Sequence, residues 1–462
     1  MRKFILIVCS LLLLQFTTTN AQNYTIEEVV TGLVRSVAFD FLPDGKIIIT
    51  QQAGLVRIFD QNNQQISVFW NFTDSCLSVQ ELGTLGVAVD PDYQNNPYIY
   101  IYNVHKIPPV ITGTEYFLRL TSFASVNNTG SNPRKLFQYM QAEGQGQIHA
   151  AGNIHFGSDN RLYFSVGALN SGEAQLLNMP RGKILRINPD GSIPINNPFY
   201  DDGNPFTNND DRIWALGLRN PFDFCFSPVN DSLYAADNGS GPDEIDFIRK
   251  GKNYGFPVCN GICGNPLYAD PILQMPSGTV PTGMIVYSGS QFPSLNNNLI
   301  FAASNSGKIY KCVLGNAPFW DTIISYSEWV ELPPGSGPTA IRQGADGNIY
   351  VCALGTGKIL RIKPEPNAIG NNNNPVNFSL SQNYPNPFNP VTSIKYEIAQ
   401  NGFVTLKIFN VLGMEISTLV NQTKRQGTHE VTWNASDFPS GVYFYELSAG
   451  EFKQRKKMIL IK

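Results

Sequence analysis

Charge, histidine and long apolar runs are all scarce in this chain. Charged residues make up 15% of its 462 positions and sum to a formal net charge of -3. Neither sign dominates, so no basic face for nucleic acid is expected. Past residue 21 no stretch is apolar enough to cross a bilayer as a helix, so no transmembrane segment is expected in the mature chain. No GxSxG elbow, HExxH pair or Walker A loop occurs, which sets aside the hydrolases, metalloproteases and nucleotide-binding proteins built on them. A βαβ pattern is also missing, and with it a Rossmann site for NAD. No long amphipathic helix is legible; EEVVTGL, at 27–33, supports one turn at most.

Cysteine is sparse too. There are seven, and Cys9 falls in the N-terminal apolar run. The remaining six, Cys76, Cys225, Cys259, Cys263, Cys312 and Cys352, have no histidine at zinc-ligand spacing. Cys259 and Cys263, in CNGICG, are close enough to bridge locally. Cys225, Cys312 and Cys352 fall in strand-like FCF, KCV and VCA, as buried small hydrophobes or as one pair between adjacent strands.

What is abundant is turn chemistry and aromatic side chains: 40 Gly, 31 Pro, 29 Phe and 20 Tyr. That combination predicts an all-β protein. Residues 1–21, MRKFILIVCSLLLLQFTTTNA, have the basic start, apolar core and small-residue end of a secretory signal peptide. Between about 28 and 365 an apolar strand, a polar turn and a second strand recur six times, the first round opening at YTIEEVV and later ones at Glu81, His149, Leu218, Thr282 and Pro338. A third-strand echo runs through them: GLVRIF, GKILRI, GKIYKC, GKILRI. Short repeated meanders that cannot bury their own faces predict a six-bladed β-propeller over 22–368. The polar loop Asp190–Asp211 is expected to lie ordered over one face, where such folds carry sites. An Asn-rich linker at 369–377 precedes a small immunoglobulin-like β-sandwich at 378–462, ending in the basic strand KQRKKMILIK.

Unusual polar residues cluster where the rounds begin. His149 stands at a strand entrance, as a general base toward a hydroxyl or as a hydrogen-bonded structural histidine. His155 alternates within its strand and reads as structural, and His105 is placed in a loop after YIYIYNV. Arg219 and Asn220 occupy the equivalent entrance of the next round, a guanidinium fork beside an amide. Asp237, Asn238, Gly239, Asp243 and Glu244 form an oxygen-rich turn that suits calcium or simply a solvated loop. Glu81 opens ELGTLG, facing the same axis or capping a turn.

Five stretches carry a family resemblance: ELGTLGVAVDPDYQNNPYIY, HAAGNIHFGSDNRLYFSVG, GKILRINPDGSIP followed by INNPF, LGLRNPFDFCFSP and DEIDFIRKGKNYGFP. Together they resemble the soluble pyrroloquinoline-quinone (PQQ) sugar dehydrogenases of the glucose/sorbosone dehydrogenase family. The resemblance implies a secreted oxidoreductase acting on a sugar or related alcohol. His149 would be the base and PQQ the hydride acceptor; Arg219, Asn220 and Glu81 would face the cofactor. Calcium would sit near Asp237, Asn238 and Gly239, and a second ion at Glu244 and the carbonyl of Tyr254. The family's last-blade arginines are absent: Gly337 and Thr339 stand in GSGPTAIRQGADG, and Arg342 is offset by odd spacing to the other side of the strand. Lys308 and Lys311 are the nearest lysines to the family's basic partner, HAAG replaces HNGG, and Gly167-Ala168 replaces Gly-Asp. A secreted propeller binding carbohydrate or protein without redox chemistry, and a calcium-dependent lactonase using Glu81, Asp237 and Asn220, are the alternatives. NYPNPFNPVTSIKYEI, VLGMEISTLV, FPSGVYFYEL and KKMILIK resemble the type A sorting domain of type IX secretion. That resemblance implies the secretion machinery as a partner and a secreted or cell-surface location.

Overall fold

A computed structural model describes residues 24–107, 115–141, 149–168, 171–317, 319–365, 378–399, 401–424, 426–450 and 452–462. The signal peptide and the linker lie outside the described residues. Two compact units divide the chain, 1–364 and 365–462.

In the first unit the described residues form six four-stranded antiparallel sheets, numbered I to VI by their first strands: Ser36–Phe41, Thr84–Val89, Ile154–Phe156, Pro221–Phe226, Pro281–Val286 and Pro338–Gln343. Tight turns join first strand to second. In sheet I, Gly45 at φ 83 lets Leu42 N reach Lys46 O at 2.8 Å. In sheet III, Asn160 at φ 55 does the same for Gly157 N and Arg161 O at 3.0 Å. In five of the six sheets the second strand (IIITQ at Ile47–Gln51, LYFSV at Leu162–Val166 and LYAAD at Leu233–Asp237 among them) is buried along its whole length, which is why it reads as a largely apolar run. The first strands touch one another in closed order, I to VI and back to I. Thr339 Oγ1 donates to Val37 O at 2.7 Å across that last junction.

Closure corrects two sequence expectations. YTIEEVV does not open the first sheet; Tyr24–Val30 pairs antiparallel with Lys358–Pro364 as the outer strand of sheet VI. Nor does EEVV make a helical turn, because Glu27 pairs with Arg361 at 2.6 Å and Glu28 with Lys358 across the ladder. Gly357 secures this clasp. It sits at φ +63, and a Cβ there would lie 1.9 Å from Leu33 O, while Leu33 N donates to Gly357 O at 3.0 Å. Gly357→Ala is therefore expected to destabilise the protein by about 2–4 kcal/mol, read as a lower denaturant midpoint. A change under ~0.5 kcal/mol would show that the clasp contributes nothing to closure. The third-strand echo has the same cause: Gly54, Gly182, Gly307 and Gly357 all turn with positive φ into Leu55–Phe59, Lys183–Ile187, Lys308–Gly315 and Lys358–Pro364.

The loop Asp190–Asp211 is ordered by Asn197, whose side chain donates to Arg186 O and Asp211 O at 2.9 Å each. It leaves the strand Lys183–Ile187 at Ile187, whereas Lys183 pairs with Val166 beside His149. The loop thus covers the end remote from His149, not the candidate site. His105 is also re-placed: the strand Tyr98–Lys106 runs through it. Cys259 and Cys263 are bridged. Cys76, Cys225, Cys312 and Cys352 are free and buried, so no pair joins adjacent strands.

Among the described residues the second unit has seven strands in two sheets, Ser379–Leu380, Val391–Ile398 and Gly427–Asn434 in one and Glu415–Lys424, Gly402–Phe409, Gly441–Ala449 and Phe452–Leu460 in the other. One core of Ile394, Tyr396, Leu406, Trp433, Tyr445 and Met458 joins them. Phe452–Leu460 is an edge strand with Lys453, Arg455 and Lys457 exposed, charges that discourage edge pairing.

Candidate active site at the sheet entrances

The entrances of the six first strands surround one cavity of 450 Å³. Glu81, His149, Arg219, Asn220, Asn238 and Gly239 all line it, as do Arg35, Asp243 and Thr339. His149 lies in left-handed backbone at φ 56, its N–H donating to Glu81 Oε2 at 2.8 Å. Its Nδ1 is 2.9 Å from the carbonyl of Ala168. A carbonyl only accepts, so Nδ1 carries the proton and Nε2 is left as the acceptor. Burial, and then the charge of Arg219, lower the imidazole pKa, which keeps this tautomer neutral. Gly167 permits the approach: a Cβ there would fall 2.3 Å from His149 O and 2.8 Å from Asn220 Oδ1.

Asp237 organises the next entrance. Its carboxylate accepts Arg219 N at 2.8 Å and Asn220 N at 2.6 Å. Arg219 then reaches forward to the carbonyls of Asn238 and Gly239 at 2.6 and 3.1 Å. Asp243 accepts Gly239 N at 3.0 Å and Val280 N at 2.9 Å, tying sheet IV to sheet V. Asn220 Oδ1 and Asn238 Oδ1 are buried and have no hydrogen-bond partner. Such orphans need a ligand, a cation or water to offset their desolvation.

The other oxygen donors are deeper. Glu244 lies opposite Asp237 in the ladder and accepts Gly261 N. Asp246, two residues on and overlooked in the sequence, is fully buried with neither carboxylate oxygen partnered. Burial, then the charge of Asp237, raises the pKa of Glu244, and burial, then the charge of Glu244, raises that of Asp246. Tyr254 is buried nearby, its hydroxyl donating to Phe247 O at 2.6 Å. Glu244, Asp246 and Tyr254 do not line the cavity. Among the described residues, the group of three acidic side chains whose ligand atoms lie within 4.8 Å of one another is Asp201, Asp202 and Asp211, in the remote loop.

Thr339 faces the cavity while Arg342 lies at the far end of its strand, 3.8 Å from Asp223. Lys308 pairs with Glu328 at 2.7 Å, and neither it nor Lys311 reaches the cavity. His155 also points to the far end, with Nε2 2.7 Å from Asp223 Oδ1. Arg35 escaped the sequence reading. Its signal was positional, since it immediately precedes a first strand as Val280 and Gly337 do.

The Glucose / Sorbosone dehydrogenase family signature matches residues 33–368. The chain belongs to this family. It is 27% identical over 285 residues to quinoprotein glucose dehydrogenase B of Acinetobacter calcoaceticus, covering 55% of this chain and 57% of that protein. It is 26% identical over 346 residues to the aldose sugar dehydrogenase YliI of Escherichia coli K12, covering 71% and 89%. The PQQ-bound aldose sugar dehydrogenase of Streptomyces coelicolor shares the fold at 21% identity and a TM-score of 0.60, covering 74% of this chain and 99% of that one. The fold is thus a β-propeller of the sugar dehydrogenase type. Residues 382–462 match the secretion system C-terminal sorting domain, a type IX signal that indicates secretion or cell-surface display. Among the described residues no helix is long and apolar enough to cross a membrane.

Proposed function

We propose that this protein is a secreted or surface-displayed quinone-dependent dehydrogenase that oxidises a sugar or related alcohol. In this reading the six sheets are the blades of a six-bladed propeller and the second unit is an immunoglobulin-like sorting domain. The observation that carries it is the convergence of a neutral, acceptor-ready His149 Nε2 with the Arg219 guanidinium in one cavity beside the orphaned oxygens of Asn220 and Asn238.

The donor set fits a polar, anionic cofactor with a hard cation beside it. Arg219 and Asn220 would hold the quinone, Glu81 would flank it, and Asn238 Oδ1 with the Gly239 carbonyl would face calcium. When bound, pyrroloquinoline quinone supplies a two-electron acceptor for hydride. The chain's own residues do the rest. His149 Nε2 takes the hydroxyl proton as hydride leaves the carbinol carbon, so that the alcohol loses two electrons and two hydrogens. Ala168 O holds the imidazole and steadies the charge it gains. Glu81, bonded to His149 N, fixes the turn that presents the ring. Asp237 keeps the Arg219–Asn220 backbone in place. A second calcium at Glu244, Asp246 and the Tyr254 carbonyl would relieve the cost of their burial.

The test uses the full mature chain, incubated with pyrroloquinoline quinone and calcium and then desalted. Retained quinone absorbance, and dye reduction with an aldose panel, are the expected results. No retention at micromolar cofactor sinks the reading.

A further inference from the structure

The cavity holds four charged side chains besides His149: Glu81, Asp243, Arg219 and Arg35. Three already bond backbone. Glu81 accepts His149 N, Asp243 accepts Gly239 N and Val280 N, and Arg219 donates through Nη1 to the carbonyls of Asn238 and Gly239, keeping Nη2 for a ligand. The Arg35 side chain bonds no backbone among the described residues. Its Nε donates to the Gln52 side-chain oxygen, and its two terminal nitrogens have no partner among the described residues. Gln52 is itself fixed, its Nε2 donating to Gln80 O and Leu82 O at 2.6 and 2.9 Å and its N to Arg35 O at 2.9 Å. The guanidinium is therefore pinned at one nitrogen and open at the other two, a fork shaped for a carboxylate.

Its backbone is held for this purpose as well. Arg35 sits at φ 47, in the left-handed region that a long side chain rarely adopts. The equivalent residues before the first strands of sheets V and VI, Val280 at φ 54 and Gly337 at φ 50, share that conformation. Three of the six entrances thus share this conformation, and in sheet I the residue that adopts it is a cation lining the cavity. Sheet I adjoins sheet VI through Thr339 and Val37. There Gly337 leaves open space, with nothing closer than 3.6 Å to where its Cβ would stand.

We propose that Arg35 is a second carboxylate-binding residue of the cavity beside Arg219, supplying from sheet I the anion contact that sheet VI lacks, and that the ligand it takes is a polycarboxylate. This rests on the quinone reading only for the ligand's identity, since pyrroloquinoline quinone is a tricarboxylate. The test measures two dissociation constants in full-length protein, for pyrroloquinoline quinone with calcium and for benzene-1,3,5-tricarboxylate, which has three carboxylates and no redox chemistry. Arg35→Gln is expected to weaken both by roughly ten- to hundredfold. Arg35→Lys should recover part of the loss, with steeper salt dependence than wild type, and unchanged thermal midpoints would show that both variants fold. Wild-type and Arg35→Gln affinities for the quinone within twofold of each other would overturn the proposal and leave the quinone reading standing. Arg35-dependent binding of the tricarboxylate without quinone retention would uphold the anion site and end the cofactor reading. Binding of neither probe to wild type would overturn both.

Discussion

Replacing His149 with glutamine is expected to lower dye reduction by about 10²–10⁴-fold while leaving quinone retention near wild type. Glutamine preserves size and a donor toward Ala168 O but presents no basic nitrogen to the cavity. The cofactor contacts assigned to Arg219 and Asn220 come from a different entrance, braced by Asp237 rather than by the imidazole. Loss of turnover with retained quinone would therefore separate proton transfer from binding. The wild-type pH profile supplies a second readout. Burial and Arg219 hold the imidazole below its ordinary value of 6.5, so the basic form persists as pH falls past that point. The acid limb of kcat should lie below pH 6.5. The sign for stability agrees. The unfolded chain binds the proton more readily than the folded one, so this group's contribution is complete above the unfolded pKa and declines as pH falls toward the folded value. His149→Gln should accordingly lose less stability than wild type on mild acidification, measured as the thermal midpoint against pH. Wild-type turnover in the glutamine variant would remove His149 from the chemistry.

Much of this arrangement was legible before any coordinate, because repetition constrains it. Once the turns at Pro43-Asp44-Gly45 and Ser158-Asp159-Asn160 mark the far ends of their sheets, alternation places His149 and Arg219 at the opposite ends. The sorting tail was equally legible, since its strands alternate residue by residue. What escaped depended on partners distant in sequence. Glu27 and Glu28 look helical in isolation, and only Arg361 and Lys358, some 330 residues later, make them strand. The polar loop Asp190–Asp211 looked functional by composition, yet strand direction puts it at the remote end. Arg35 carries no motif; its meaning comes from left-handed backbone shared with Val280 and Gly337, which a sequence does not display. Asp246 looked like an ordinary strand residue because nothing local reveals that it is fully buried beside Glu244.

Asp223→Ala is expected to be the most damaging single substitution away from the cavity, costing about 3–5 kcal/mol of stability. Asp223 has no solvent exposure, and its carboxylate joins four sheets. Oδ1 meets His155 Nε2 of sheet III at 2.7 Å and accepts Phe224 N of its own sheet IV at 2.9 Å. Oδ2 accepts Met284 N of sheet V at 3.3 Å and lies 3.8 Å from Arg342 Nη1 of sheet VI. Truncation would leave Arg342, which already has one buried terminal nitrogen unpartnered, as an uncompensated cation at the far end of its strand. Asp223→Asn keeps the shape and an acceptor for one amide but removes the charge, so about 1–3 kcal/mol is expected, less than for alanine. Denaturant midpoints of the two variants measure the difference. Their order matters more than their size, because a site held by packing alone would treat asparagine and alanine alike. Turnover per folded molecule should be preserved in both, since Asp223 does not line the cavity that holds His149. Variants within ~1 kcal/mol of wild type would mean that closure rests on the outer clasp rather than on this buried carboxylate.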